Sequence, residues 1–418
     1  MKILPFKERR RRLAARGSLA ALLAVIGPGL LAGLSDDDPA GITTYSVLGA
    51  RTGYQLLWVL AVSTAALIVF HDVGARMGVV TGRGLTALVR RRYGKRVTWS
   101  LLVTLLVANI GTTAAEFAGI AAAADLANLP RTPCIVAAVV LVSVLLLSGS
   151  FTRVEHVLIA MGSVFLAYVA AAILAHPDWG AAARGMVVPS VPKSKDGVVL
   201  MVATIGTTLA PWGLTFIQSY AADKHLVVRQ LRAERFDVVT GAVLTGVIGA
   251  FIVIASAATL HPAGVHVDDA AQAARSLEPV AGGAAEMLFG LGLVGASLLA
   301  AAVLPLATAY SVCEAAGRPA HLGRGRESRL FRAVLVGSLV IGGTLVCVPG
   351  VPLISLLVLT QALNAILLVP VLVVIRRLAL SHDVMGEYTL STTDRWATLI
   401  TLIGLTAAVA TLLLLPLF

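Results

Sequence analysis

The run Asp36-Asp37-Asp38-Pro39-Ala40-Gly41 sets three carboxylates and a proline inside an otherwise apolar stretch. Residues 18–34 before it are almost wholly apolar, and residues 42–50 after it resume a helix-compatible pattern. Neither flank alone reaches the roughly 20 residues that a helix needs to cross a bilayer. Joined, they make one span with charge near its centre, where an ionised Asp costs at least about 3 kcal/mol on insertion scales. Pro39 has no N–H to donate and its ring crowds the preceding turn, so the helix is expected to break there. A broken helix that holds carboxylates at membrane depth is how a transporter builds a cation site. The alternative is an interfacial loop carrying all three acids between two short segments.

The whole chain supports the membrane reading. Of its 418 residues, 58% are hydrophobic and 13% charged, against about 25% charged in soluble domains. Cys134, Cys313 and Cys347 all lie in apolar segments without metal-ligand spacing, so neither disulfides nor a zinc site is indicated. The net charge of +11 would suit nucleic acid. Its distribution argues otherwise, because Arg and Lys gather in alternate loops as the positive-inside rule describes. The expected partners are divalent cations and the lipid bilayer, with no nucleic acid. The basic residues 7–16 precede a helix too long and too acid-interrupted for a signal peptide, so 1–17 reads as a cytoplasmic tail.

The pattern predicts an all-α polytopic membrane protein with eleven spans, at about 18–50, 54–77, 97–126, 132–149, 153–175, 197–221, 238–260, 283–316, 330–348, 351–375 and 393–417. Expected cytoplasmic loops hold Arg76, Arg83, Arg90, Arg91, Arg92, Lys95 and Arg96, then Arg153, then the basic segment 224–235, then Arg318, Arg324, Arg326 and Arg329, then Arg376, Arg377 and Arg395. Expected external loops mix Arg51, Arg131, Arg184, Lys193, Lys195 and Arg275 with Asp268, Asp269 and Glu278. That asymmetry puts the N-terminus in the cytoplasm, and an odd span count then puts the C-terminus outside.

A second proline break, Thr207-Thr208-Leu209-Ala210-Pro211-Trp212, lies 172 residues after the first (211 minus 39). Each break falls in the first span of a five-helix unit, about 18–175 and about 197–375, with 393–417 as an extra helix. Interrupted helices at matching positions of two halves point to an inverted repeat with a midplane site. Alternatively, Pro211 only kinks a structural helix.

Several segments resemble the Nramp divalent-metal transporters, in a shared order that covers nearly the whole chain. Gly27-Pro28-Gly29-Leu30 followed by Asp38-Pro39-Ala40-Gly41 is similar to the family's first-helix stretch ending in Asp-Pro-Gly-Asn. Arg76-Met77-Gly78-Val79-Val80-Thr81-Gly82 resembles its Gly-Val-Val-Thr-Gly loop, and Thr113-Ala114-Ala115-Glu116 stands where it has Asp-Leu-Ala-Glu. Ala210-Pro211-Trp212 occupies the Met-Pro-His position, and Thr360-Gln361 the Ser-Gln segment of the tenth helix. The resemblance implies a LeuT-type fold with the ion between the unwound parts of helices 1 and 6.

The departures bear on the cargo. The family's Asp persists as Asp38, but its Asn is Gly41 and its Met is Ala210. A thioether favours softer transition ions. Without it, and with a wider pocket, the site suits a partly hydrated ion held by Asp38 with help from Asp37 or Asp36, since magnesium keeps several of its waters. This resembles the Nramp-related magnesium transporters, which implies Mg²⁺ as cargo with Mn²⁺ accepted; the metal is substrate, and no cofactor is expected. The family's proton-handling positions read Trp212, Ile217 and Thr113, and its ninth-helix arginine aligns with Gly337, leaving Glu116. One carboxylate makes a poor relay, so uncoupled transport is expected. Glu116 either tunes the charge of the site or bonds within the bundle.

Gln361 and Asn364, three apart, share a helix face and could offer amide oxygens or bond between helices. Thr207 and Ser35, each one turn before a break, could offer carbonyls. Asp36, Trp212 and Asn364 stand with Glu116 as possible gating or proton residues. His71 and Asp72 read as gate or packing residues, and the glycine pairs at 282–283 and 342–343 as close helix packing. Three other readings remain: a proton-coupled Mn²⁺/Fe²⁺ importer, an intramembrane aspartyl hydrolase, and an amino-acid carrier. The hydrolase needs a second facing carboxylate, and the carrier's anionic substrate would be repelled by three Asp. The chain is read as a non-enzyme of the cell membrane, and its sequence leaves the oligomeric state open, a monomer included.

Overall fold

The structure is a computed structural model that describes residues 37–147, 166–192, 194–321, 328–350 and 352–414. The expected tail, the first half of the first span with Ser35 and Asp36, and Arg153, Glu155, His156, Lys193, Arg324 and Arg326 lie outside the described residues.

Helix α1, Pro39–Thr52, starts with proline in its first turn, where the missing N–H costs nothing, and Asp38 caps it in an extended conformation (φ −76°, ψ 169°). Gly53, at positive φ (58°), ends it, and Gly82, in the left-handed helical conformation, ends α2, Leu57–Thr81. Helix α3, Leu85–Leu126, bends at Gly94, whose φ of 78° only glycine adopts readily. The sequence pattern starts this span at about 97 and assigns 83–96 to a loop. The structure corrects this, because Leu85, Leu88 and Val89 give the arginine-bearing segment a buried apolar side that keeps it helical.

Next come α4, Arg131–Leu147, and α5, Leu166–Leu174. A short surface helix α6, Trp179–Val187, stands where a loop was expected; Asp178 nucleates it by accepting from Ala181 N at 2.9 Å. The sixth span divides into α7, Lys195–Thr208, and α8, Pro211–Asp223. The remaining helices are α9, Leu231–Thr259; α10, Ala285–Ala316; α11, Arg329–Val346; α12, Leu353–Ala379; and α13, Thr392–Leu414.

Eight stretches of the described residues are long and apolar enough to cross a membrane. The 17-residue α4 is shorter, and α4 and α5 each adjoin residues outside the description. Burial sorts the spans by depth in the bundle. The apolar window of α7 and α8 is 89% buried and that of α13 only 17%, so the interrupted span is central and α13 faces lipid.

Without a hydrophobic drive between helices in lipid, close contact depends on small residues. A side chain at Gly49 would overlap the Val253 carbonyl, and one at Gly249 would come within 2.9 Å of the Tyr45 ring, so α1 and α9 touch backbone to backbone. Helix α3 lies along α10, and α7 along α12. These pairs enclose the two helix ends at Asp38 and Ala210.

Candidate ion site at the helix breaks

The site begins with what the prolines remove. Pro211 has no N–H for the carbonyl of Thr207 four residues back, and Pro39 has none for residue 35. Leu209 (φ −107°, ψ 69°) and Ala210 (φ −74°, ψ 134°) depart from the helix, so α7 ends and α8 begins with a two-residue gap. Thr207 carries a buried hydroxyl with no hydrogen-bond partner. Its carbonyl and its hydroxyl are therefore both oxygen donors available at the gap.

Asp38 stands at the facing helix end. Its Oδ1 accepts from Gly41 N at 2.5 Å, and Glu116 lies against the same carboxylate. Asp37 and Glu116 are buried, and all four of their carboxyl oxygens lack a hydrogen-bond partner. Both interact electrostatically with Asp38, and neither forms a well-directed hydrogen bond to it. Three buried carboxyl groups this near one another require protons or a cation. Among the described residues, no three His, Cys, Asp or Glu side chains converge as a ready-made metal cluster. A full oxygen shell here needs carbonyl, hydroxyl, amide or water in addition.

Packing sets the level of each group. A Cβ on Gly119 would stand 2.5 Å from Pro39 Cβ and 2.6 Å from Ser297 Oγ, so α3 touches the start of α1 with nothing between. Glu116 lies one turn away on the same helix. A Cβ on Gly206 would overlap the Gln361 carbonyl, which brings α12 against α7 one turn before the gap. Gln361 Nε2 is buried without a partner, while its Oε1 accepts from Asn364 Nδ2 at 3.0 Å. Asn364 Nδ2 also meets Thr112 Oγ1 at 2.9 Å, tying α12 to α3. Tyr45 Oη and Thr208 Oγ1, 3.0 Å apart, link α1 to α7.

The sequence-expected residues thus fall into groups. Asp37, Asp38, Gly41 and Glu116 gather at the start of α1; Thr207, Ala210 and the buried Trp212 frame the gap; Gln361 and Asn364 flank it from α12. Ser35 and Asp36 lie outside the described residues. Sequence reasoning missed the zero-clearance contacts at Gly119 and Gly206 and the partnerless Ser297 hydroxyl, for which no local pattern gives a signal.

It also missed a second charge cluster, at the end of the bundle rich in arginine. Asp72 accepts from Arg235 Nε at 2.6 Å and Nη2 at 2.7 Å, and from Arg76 Nη2 at 2.5 Å. Arg76 continues to Asp394 at 3.1 Å, joining α2, α9 and α13. The four-residue spacing of Asp72 and Arg76 was a legible signal for the first of these contacts. Nearby, Asp223 accepts from Tyr310 Oη at 2.7 Å and pairs with His321 Nδ1 at 2.8 Å.

A multi-span bundle with a central interrupted helix and acidic groups at its breaks defines a membrane transporter of LeuT type. Residues 29–415 match the family described as natural resistance-associated macrophage protein-like, Nramp, and the chain belongs to that family. It is 31% identical over 289 residues to the divalent metal cation transporter MntH of Burkholderia ambifaria, covering 67% of this chain and 65% of that one, a little under two thirds of the relative's length. It is 29% identical over 307 residues to MntH of Acidiphilium cryptum, covering 71% and 70%. In fold it resembles the Eremococcus coleocola manganese transporter (TM-score 0.75, 20% identity, 94% of this chain and 86% of that one). It also resembles Mhp1, a nucleobase-cation-symport-1 family transporter (TM-score 0.57, 16% identity, 93% and 91%). Members of this family are transporters rather than enzymes, and metal ions are their substrates.

Proposed function

We propose that this chain is a secondary carrier of divalent metal cations, moving Mg²⁺ foremost and accepting Mn²⁺, without proton coupling. The observation that carries the reading is the pair of helix ends, with the buried carboxylates of Asp38, Asp37 and Glu116 at one and the partnerless Thr207 hydroxyl at the other. Asp38 supplies the charge that offsets the ion's lost hydration, strengthened by burial. Thr207, the Ala210 carbonyl, Gln361 and Asp37 offer oxygen alone, the donor type that hard cations take. Ala210 and Gly41 leave room for the water that Mg²⁺ retains. Trp212, Ile217 and Thr113 carry no titratable group, which supports uncoupled movement. Alternating access follows from motion of the interrupted helices against the others.

The arginine-rich end of the bundle is inferred to face the cytoplasm, with the N-terminus inside and the C-terminus outside. Residues 18–175 and 197–375 are read as inverted halves.

The test is a competition flux assay in proteoliposomes with Mg²⁺, Mn²⁺ and Ca²⁺ and a lumenal pH dye. Mg²⁺ entering without acidification supports the reading. Lumenal acidification in step with metal supports the second reading, a proton-coupled manganese importer, which the relatives' names as divalent metal and manganese transporters favour. Gly41→Asn combined with Ala210→Met should shift preference toward Mn²⁺; an unchanged Mg²⁺/Mn²⁺ ratio counts against the ligand argument.

A further inference from the structure

His71 lies in the middle of α2, fully buried, with neither ring nitrogen hydrogen-bonded. A buried polar group without a partner costs stability unless something visits it. Its level in the bundle follows from two neighbours on the same helix face. A Cβ at Gly78 would overlap the Gln218 carbonyl, and one at Gly74 would come within 3.4 Å of the Leu214 carbonyl. Both contacts pair α2 with α8 at an offset of 140 residues (218 minus 78; 214 minus 74). Positions 71, 74 and 78 share one side of a helix. Continuing the offset one turn sets His71 level with Pro211, beside the Ala210 gap.

We propose that His71 donates a nitrogen lone pair to the cation, or to a water it carries, on the α8 side of the gap, and that this contact discriminates among the ions carried. The inference rests on the transport reading above and adds a nitrogen to a site otherwise built of oxygen. A neutral imidazole keeps one lone pair on its unprotonated nitrogen. Nitrogen donors suit transition ions, while Mg²⁺ prefers oxygen. The ring thus gives Mn²⁺ and Co²⁺ an attraction that Mg²⁺ gains little from, which explains acceptance of transition ions where Ala210 provides no sulfur. Asp72, the next residue, is saturated by Arg76 and Arg235 and does not compete for the ring.

The test uses the full chain in detergent and in proteoliposomes. Binding of Mn²⁺, Co²⁺ and Mg²⁺ is measured by calorimetry and uptake by flux for the parent, His71→Ala and His71→Gln. Loss of an orienting or outer ligand typically costs on the order of ten-fold in metal affinity. The expected result is a loss of about that size for Mn²⁺ and Co²⁺ in both variants, with Mg²⁺ changed far less, so the Mn²⁺/Mg²⁺ ratio falls. His71→Gln fills similar volume with an oxygen donor and decides the matter even where His71→Ala fails to fold. A parental ratio in His71→Gln, or an equal loss for every ion, overturns the proposal and leaves His71 a packing residue. Failure of the parent itself to bind or move any of these ions overturns the transport reading as well. A working parent with unaltered ratios in the variants overturns only the role of His71.

Discussion

The two buried charge clusters of this molecule are built on opposite rules. At the arginine-rich end, both oxygens of Asp72 are taken by Arg235 and Arg76, and Arg76 is shared with Asp394. At the helix breaks, the carboxyl oxygens of Asp37 and Glu116 have no well-directed hydrogen-bond partner, and Asp38 is held through its Oδ1 by Gly41 N. Buried polar groups are normally satisfied by the protein itself. The saturated cluster ties three helices together and asks nothing of solvent. The open cluster is incomplete until a cation or protons arrive, which is what the proposed ion site requires and a structural brace does not.

The sharpest way to break this contrast is Asp38→Ala. It removes the central carboxylate and should abolish metal uptake into liposomes while the protein still purifies as a folded species; normal uptake would refute the site. Next in size is Gly119→Val, whose side chain must displace Pro39 and Ser297. Overpacking of this kind costs typically about 1–3 kcal/mol, and the start of α1 would shift away from Glu116. The expected result is a strong loss of uptake with a lowered melting temperature.

At the saturated cluster the order of effects reverses. Asp72→Ala takes the carboxylate from Arg235 and leaves Arg76 with Asp394 alone; breaking a fully buried pair costs about 3 kcal/mol. Arg235 is half exposed, so solvent recovers part of that cost, and about 2 kcal/mol is expected. Thermal melting should fall while the Mg²⁺/Mn²⁺ ratio of residual transport stays constant; a changed ratio would mean the brace reaches the site. The smallest effect is expected from Arg131→Ala. It removes the exposed pair with Asp125 at 2.7 Å, worth at most about 1 kcal/mol. A melting change beyond that would show the α3–α4 connection to be more important than its exposure implies.

How much of this was legible in the sequence divides along the same line. Both proline breaks could be read locally, because a missing N–H acts on the carbonyl four residues back wherever the chain goes. Thr207 beside the second break and the membrane class followed from spacing and composition, whereas the capping of α1 by Asp38 appears only in the structure. The start of α3 did not, since charge density at 90–96 concealed the apolar side made by Leu85, Leu88 and Val89. The contacts of Gly119 with Pro39, Gly206 with Gln361, and Asp72 with Arg235 join residues far apart in the chain, and no window of sequence carries them. The register that raises His71 to the gap is likewise a property of two helices together.

The contact between Gly119 and Pro39 has a mechanical consequence. A proline ring pressed on bare backbone acts as a fulcrum: the helix it heads can tilt about that point but cannot slide toward α3. Rocking of α1 would therefore swing its far end through a wide arc while Asp38, one residue from the pivot, barely travels. The carboxylate stays put as the gates on either side exchange places around it.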